Sequence, residues 1–552
     1  MTGGELIARS LAAHGVDTVF GIPGTHNLAI YAALTPAGIR HVSPRHEQGA
    51  GYAADGYARA GRRPGVAIVT SGPALLNVAA AAGQAQSDSV PLLVISPGLP
   101  RDHPGGLPTG FLHEMPSQQL AMSGVVGHSI RVQTLPELAV ELAAAFTRFG
   151  SERPGAVYLE VPLDLLDAEA GGAEVVVALT HRRAVADQAG VVEAAGLLSA
   201  ASAPVIVAGG GAQGASGWVT AVAERLGAPV LTTVNGKGVL DERHPLALGA
   251  RLPHRAARDL LAGADVILAV GTEFAHSDLW VPPPALAGAV IRIDLHPGQA
   301  DMNLASTVAL IGDAGETLQA LLAAVDAAPA ASNPAPASPA PAAAFPAPAA
   351  APPDHGHARA RAVRAELDAQ TREEAAPWQA AIDVLADVFG ADTILAGDSA
   401  MVCYLGLIPT WRAAGPSTTL YPTGFGTLGY GLPAAIGAKL ARPDRDVVAV
   451  MGDGGLMFTV AELATAAALG ICLPVIVAVN GGYGEIRREM AERRQEPLGV
   501  DLPVPDLPAL AAALGAHGAF APDPATLRAE LDRARTHPGP SLIAIPEPFR
   551  GE

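Results

Sequence analysis

Short runs of Val, Ile, Leu and Ala recur along the chain, and most carry no polar residue at alternate positions. Residues 16–20, 66–70, 91–96 and 157–161 form such runs in the first third. Residues 204–208, 229–233, 266–270 and 290–294 follow in the second, and 394–396, 447–451, 474–479 and 541–545 in the last. A strand with one wet face alternates, whereas a strand buried on both faces does not. Gly-rich turns and Ala/Leu-rich, helix-like stretches separate the runs. Strand and helix in alternation predict parallel sheets with helices on both faces. Three sets of runs predict an α/β chain of three doubly wound parallel-sheet domains, at 1–180, 188–326 and 361–552.

The segment 327–360 is predicted to be a linker. From 327 to 353 every residue is Ala or Pro except Ser332, Asn333, Ser338 and Phe345. Repeated Pro blocks both helix and strand, which predicts an extended, semi-rigid tether.

Composition narrows the function. The chain has 552 residues, 49% of them hydrophobic and 16% charged, so a sizeable core is available. Its formal net charge of −18 gives no overall pull toward nucleic acid or anionic lipid. Cys403 and Cys472 build neither a disulfide framework nor a zinc site. The first residues lack the apolar core of a signal peptide, and no uninterrupted apolar run is long enough to span a bilayer. The expectation is a cytoplasmic enzyme without a nucleic-acid or membrane partner.

The strongest local signal follows the run 447–451. It reads Gly452-Asp453-Gly454-Gly455, then a helix-like stretch, then the run 474–479 ending in Asn480-Gly481-Gly482-Tyr483-Gly484. Two parallel strands would deliver an Asp and an Asn at their carboxyl ends, where open α/β sheets bind ligands. One carboxylate, one amide oxygen and one backbone carbonyl suit Mg²⁺ holding a diphosphate, with coordination positions left for phosphate oxygens and water. The glycines let backbone N–H groups approach the phosphates. A tight left-handed turn with a buried Asp cap is the plainer alternative.

A second motif, Pro44-Arg45-His46-Glu47-Gln48-Gly49-Ala50-Gly51-Tyr52, reads as a loop entering a small-residue helix. Taken alone, Glu47 is a first-turn acid favoured by the helix dipole. Taken with the Gly-Asp-Gly…Asn-x-Gly spacing, the chain resembles the thiamine diphosphate enzymes of the acetolactate synthase, benzoylformate decarboxylase and 5-guanidino-2-oxopentanoate decarboxylase type. Further segments match. Val19-Phe20-Gly21-Ile22-Pro23-Gly24 is similar to the first strand and turn. Thr70-Ser71-Gly72-Pro73-Ala74-Leu75-Leu76-Asn77 is similar to a cofactor-side loop. Gly426 and the segment from Thr427 through Leu428 to Ala438 are similar to the part under the thiazolium ring.

The resemblance implies a pyrimidine-binding domain, a middle Rossmann-like domain and a diphosphate-binding domain. It implies Asp453, Asn480 and the Gly482 carbonyl as Mg²⁺ ligands, and Glu47 as the acid that shifts the aminopyrimidine tautomer. Leu428 would wedge the cofactor into its bent shape. Gly72, Pro73, Asn77, Gly426, Gly452, Gly454, Gly455, Tyr483 and Gly484 would complete the cofactor site. It further implies a homodimer or homotetramer, with each site formed by Glu47 of one copy and Asp453 of another.

Relatives of this type break or make the C–C bond beside the carbonyl of a 2-oxo acid. Departures from the synthase pattern at Leu428, at Leu112-His113-Glu114 and at Val126, where no Lys stands, favour a decarboxylase. An acetolactate synthase-like carboligase and a non-catalytic scaffold are the alternatives. His26 and His113, in loops expected beside the cofactor, are the proton-transfer candidates. Asp88, Glu114 and Glu485 are candidates for an acidic pocket suited to a guanidinium. Gly209-Gly210-Gly211-Ala212 is either a dinucleotide turn or an ordinary sheet-to-helix turn. Because Gly271-Thr272-Glu273-Phe274 departs from the synthase pattern, FAD is possible but not favoured.

Overall fold

The computed structural model describes residues 1–104, 108–178, 183–327 and 354–549. It contains three six-stranded sheets. The first comprises β1 (Thr18–Phe20), β2 (Arg40–Val42), β3 (Gly65–Ile68), β4 (Leu92–Gly98), β5 (His128–Arg131) and β6 (Ala156–Pro162). The second comprises β7 (Val205–Ala208), β8 (Val230–Thr232), β9 (Ala247–Gly249), β10 (Val266–Val270), β11 (Ala289–Asp294) and β12 (Val308–Ile311). The third comprises β13 (Ile394–Gly397), β14 (Thr419–Leu420), β15 (Val447–Gly452), β16 (Leu473–Val479), β17 (His517–Phe520) and β18 (Pro540–Pro546).

The strand orders are β2-β1-β3-β4-β6-β5, β12-β11-β10-β7-β8-β9 and β14-β13-β15-β16-β18-β17. The first and third sheets therefore share one order, and the second has the dinucleotide-fold order 3-2-1-4-5-6. The pairings are parallel, as between β15 and β16, where Ala449 faces Val475 and Gly452 faces Ala478. Every apolar run singled out above coincides with a strand. The central strands are buried along their length, β4 and β10 throughout. Each fully buried Val, Leu or Ile contributes about 1.5–3 kcal/mol, and both faces of each sheet are covered by helices that supply the matching apolar stripe.

The chain forms two compact units as far as it is described. One takes in Met1–Arg182, Ala375–Leu407 and Leu420–Glu552, the other Arg183–Glu374 and Ile408–Thr419. In the first unit the helix Glu47–Gly61 packs on the helix Gly431–Ala441. Small residues allow the contact: a Cβ on Gly56 would lie 2.1 Å from the Ala434 carbonyl oxygen, and one on Gly437 would lie 1.9 Å from that of Ala53. Beside it, Tyr430 donates to buried Asp55 at 2.5 Å, and Arg59 bridges Asp55 and Asp88.

The Ala/Pro-rich segment falls outside the described residues for 328–353. The linker expectation needs correcting at its far end, because a helix spans Asp354–Ala375. Its residues up to Glu374 group with the second sheet's unit rather than with the third domain, to which 361–552 was assigned. The charge-rich sequence there has no run of apolar residues to mark it. Much of the first expected domain boundary, 179–182, also lies outside the described residues.

Candidate active site

In a sheet ordered 2-1-3-4, the crevice opens where the order reverses, between strands 1 and 3 at their carboxyl ends. In the third sheet this is the end of β13 and β15. β15 ends at Gly452, and the turn that follows carries Asp453, Gly454 and Gly455, with Asp453 buried. One carboxylate oxygen of Asp453, Oδ2, accepts from the Gly481 N–H at 2.9 Å. The other, Oδ1, is buried with no hydrogen-bond partner, and so is Oδ1 of Asn480 at the end of β16. Two orphaned buried oxygens on neighbouring parallel strands would be costly in a bare protein. They are what a hard cation uses. The Gly482 carbonyl oxygen lies at the same turn, 3.0 Å from where a Cβ on Gly454 would stand. Among the described residues no cluster of three or more His, Cys, Asp or Glu could hold a metal. Asp453, Asn480 and Gly482 offer one carboxylate, one amide and one backbone carbonyl oxygen, a donor set of a different kind.

The turn is braced by groups that sequence patterning did not mark. Asn480 donates through Nδ2 to Glu547 at 3.3 Å, which leaves its Oδ1 unpaired. Burial holds the Glu547 carboxyl above its ordinary range. Arg487 donates to the carbonyls of Asn480 and Gly481 at 3.3 and 3.2 Å. Tyr483 sets its ring against Gly454, and Gly484 begins the helix Gly484–Glu492, where a Cβ would meet Asn480 Nδ2.

Across the crevice, Asp398 follows β13. It is wholly buried and accepts from the N–H groups of Gly429, Tyr430 and Ser399. It also stands against Gly455, 2.5 Å from where a Cβ would be. One carboxylate thus ties the turn holding Gly426 and Leu428 to the Gly-Asp-Gly turn. Burial pushes its pKa up to about 6.

The first sheet has the equivalent crevice at β1 and β3. Glu47 opens the helix Glu47–Gly61 beside it, after β2. Asn77 donates to Glu47 Oε2 at 2.9 Å, so two residues singled out separately in the sequence meet. His26 lies beyond β1 and Ser71 beyond β3. His26 Nδ1 is 2.6 Å from Ser71 Oγ, and Ser71 Oγ is 3.3 Å from His113 Nδ1. The two imidazoles stand edge to face at 5.1 Å. Burial, and then the proximity of His113, hold the His26 pKa below its ordinary value, which favours the neutral ring. Gly72 donates to Gln118 Oε1 at 2.6 Å, and Pro73 starts the helix Pro73–Ser87.

The acidic-pocket expectation is not upheld. Asp88 is consumed by Arg59, Gln84 and the N–H groups of Thr423 and Gly424. Glu114 folds onto the N–H groups of Thr109, Gly110 and Phe111. Glu485 accepts from Tyr404 and Arg488. Acids that look free in a sequence find local donors once loops close. In the second sheet, the turns after β7 and β10 pack backbone on backbone, with Gly211 N–H donating to the Gly271 carbonyl at 3.0 Å.

Comparison with known proteins identifies the family. The description "Thiamine pyrophosphate enzyme, N-terminal TPP binding domain" matches residues 1–122, the corresponding central domain matches 191–321, and the C-terminal TPP binding domain matches 400–545. The chain belongs to the thiamine diphosphate-dependent enzymes. Among individual relatives, it is 41% identical to the probable 2-ketoarginine decarboxylase AruI of Pseudomonas aeruginosa, over 93% of this chain and 88% of that protein. It is 30% identical to the acetolactate synthase large subunit of Parasynechococcus marenigrum, over 99% and 87%. It is also 30% identical to the acetolactate synthase isozyme 2 large subunit of Escherichia coli, over 99% and 95%. No helix among the described residues is long and apolar enough to cross a membrane.

Proposed function

We propose that this chain is a cytoplasmic, Mg²⁺-dependent decarboxylase of a 2-oxo acid, working as a homodimer or homotetramer with its sites between copies. Asp453, Asn480 and the Gly482 carbonyl hold the cation, and Gly452, Gly454, Gly455, Tyr483 and Gly484 shape the diphosphate turn. Leu428, Gly426, Gly72, Pro73 and Asn77 would line the rest of the cofactor, and Glu47 would hydrogen-bond its aminopyrimidine. When bound, thiamine diphosphate supplies the nucleophilic carbon and the electron sink that let CO₂ leave. FAD has no part in this reading.

The observation that carries the reading is the His26–Ser71–His113 cluster at the first sheet's crevice. A decarboxylase must place a proton on the carbon that has lost CO₂, whereas a carboligase must keep protons from it until an acceptor arrives. Two imidazoles joined by a hydroxyl suit the first task. The likeness to a probable 2-ketoarginine decarboxylase supports the same reaction and makes 5-guanidino-2-oxopentanoate the first substrate to test. The guanidinium would not be held by Asp88, Glu114 and Glu485, whose carboxylates already have partners.

The test incubates the protein with thiamine diphosphate, Mg²⁺ and separate 2-oxo acids: pyruvate, 2-oxobutanoate, benzoylformate and 5-guanidino-2-oxopentanoate. CO₂ and organic products are read by mass spectrometry. An aldehyde formed with CO₂ supports the proposal. Acetolactate from pyruvate without aldehyde overturns it in favour of a carboligase. Failure to take up thiamine diphosphate with Mg²⁺ overturns it in favour of a scaffold.

A further inference from the structure

His26 and His113 both turn Nδ1 toward one hydroxyl, that of Ser71. Ser71 is buried at 5% exposure and His26 at 9%. A hydroxyl has one proton, so it donates to one ring while accepting from the other. A neutral imidazole has one N–H. The ring that accepts at Nδ1 must therefore carry its proton on Nε2, and the ring that donates from Nδ1 must have a bare Nε2. We assign the direction from the two distances. The 2.6 Å contact suits O–H donation to His26, and the 3.3 Å contact is a longer N–H donation from His113.

We propose that Ser71 is a positioning residue that holds His26 and His113 in opposite tautomers, so that His26 presents an Nε2–H and His113 a bare Nε2 to the substrate. This rests on the decarboxylase reading above. The backbone is built for the arrangement. His113 has a left-handed φ of +62°, uncommon for a residue with a side chain. Gly72, also at φ +62°, lies so close that a Cβ there would stand 2.7 Å from the His113 carbonyl oxygen. The histidine loop therefore closes on Ser71 only because its neighbour is glycine.

The proton count closes. A 2-oxo acid anion and one proton become an aldehyde and CO₂: the bond to the carboxylate breaks, and a C–H bond replaces it. The proton leaves His26 Nε2. The Ser71 proton moves to His26 Nδ1, the His113 Nδ1 proton moves to Ser71 Oγ, and His113 Nε2 takes a proton from solvent. The pair then stands in the mirrored arrangement, and exchange with solvent restores it.

The test has two arms. In the first, the resting protein is labelled with ¹⁵N-histidine, and ring tautomers are read by NMR, with His26→Gln and His113→Gln assigning the signals. One Nε2–H and one Nδ1–H tautomer are expected, and the same tautomer on both rings overturns the proposal. This arm needs no turnover, so its failure is distinct from a failure of the decarboxylase reading. The second arm compares Ser71→Ala and Ser71→Thr with the parent holoenzyme. Ser71→Ala should keep thiamine diphosphate affinity and KM within about threefold while kcat falls on the order of 100-fold, and Ser71→Thr should recover most of it. An Ala variant with unchanged kcat and pH profile overturns the proposal.

Discussion

The carboxylate of Glu462 fills the space beside Gly49: a Cβ on Gly49 would stand 2.3 Å from Glu462 Oε1. The same carboxylate accepts from the N–H groups of Arg45 and His46 at 3.1 Å and from Thr465 at 2.6 Å. It is 1% exposed, and burial holds its pKa above the ordinary carboxylate range. With those donors engaged it cannot swing aside. Gly49→Ala should therefore destabilise the fold by about 1–3 kcal/mol and, by shifting the start of its helix, misplace Glu47. Thermal unfolding together with thiamine diphosphate affinity checks this. An Ala variant equal to the parent in both would show that the carboxylate yields freely.

The roles of the two histidines separate by what each variant spares. His26→Ala removes the proposed proton donor but none of the groups proposed to hold the cation or the diphosphate. Aldehyde release should slow on the order of 100-fold or more while cofactor affinity is kept. Stopped-flow release of aldehyde and calorimetric binding of thiamine diphosphate make the comparison. An equal loss of affinity and turnover would assign His26 a structural role.

The two ends of every sheet are where the sequence was hard to read. The four inner strands of each sheet coincide with apolar runs. The strands that escaped are β2, β5, β9, β12, β14 and β17, and these are the six edges. An edge strand is covered on fewer sides, so its composition need not be uniformly apolar. β5 (His128–Arg131) is half-exposed along its length, and β2 leaves Arg40 in solvent. β9 is buried but only three residues long, Ala-Leu-Gly, too short to stand out.

The site divides in the same way. Asp453, Asn480 and Glu47 stood out because a motif of fixed spacing puts them at strand or helix ends. Asp398, Glu462 and Glu547 were not, because each acts on a backbone or an amide far away in sequence. Asp88 shows the converse error: an acid assigned to a substrate pocket is the clasp between Arg59 and the turn at Thr423. Ser71 lies within the segment Thr70–Asn77, but only its distance from two histidines marks it for the role proposed above.

Glu547 offers a test of how the proposed cation site is held. By accepting from Asn480 Nδ2 it fixes the amide with Oδ1 unpaired. Partners of this kind commonly contribute 10–100-fold in metal affinity. Glu547→Ala should therefore weaken Mg²⁺ binding by about tenfold, measured as the Mg²⁺ concentration that half-saturates thiamine diphosphate uptake. Asp453→Ala, which removes a proposed ligand itself, should have the larger effect. If Glu547→Ala leaves the Mg²⁺ dependence unchanged, the amide is oriented by its other neighbours, such as Gly484.

Asp398 predicts a pH dependence with a definite direction. Burial raises its folded pKa from 3.8 to about 6, although three backbone N–H groups partly counter the rise. A carboxyl that binds its proton more tightly when folded stabilises the fold below the unfolded pKa, near 3.8. That contribution is lost as pH rises through about 6. The shift corresponds to something on the order of 3 kcal/mol. Asp398→Asn has no such titration. The stability of the parent minus that of the variant should therefore fall as pH is raised from 4 toward 7 and level off above it. Denaturant unfolding of both proteins across that range, at constant ionic strength, measures the difference and cancels the other carboxylates. A difference that stays flat would mean that the N–H groups fully offset burial, leaving Asp398 ionised at its ordinary pH. A difference that rises with pH would mean that they stabilise the carboxylate outright.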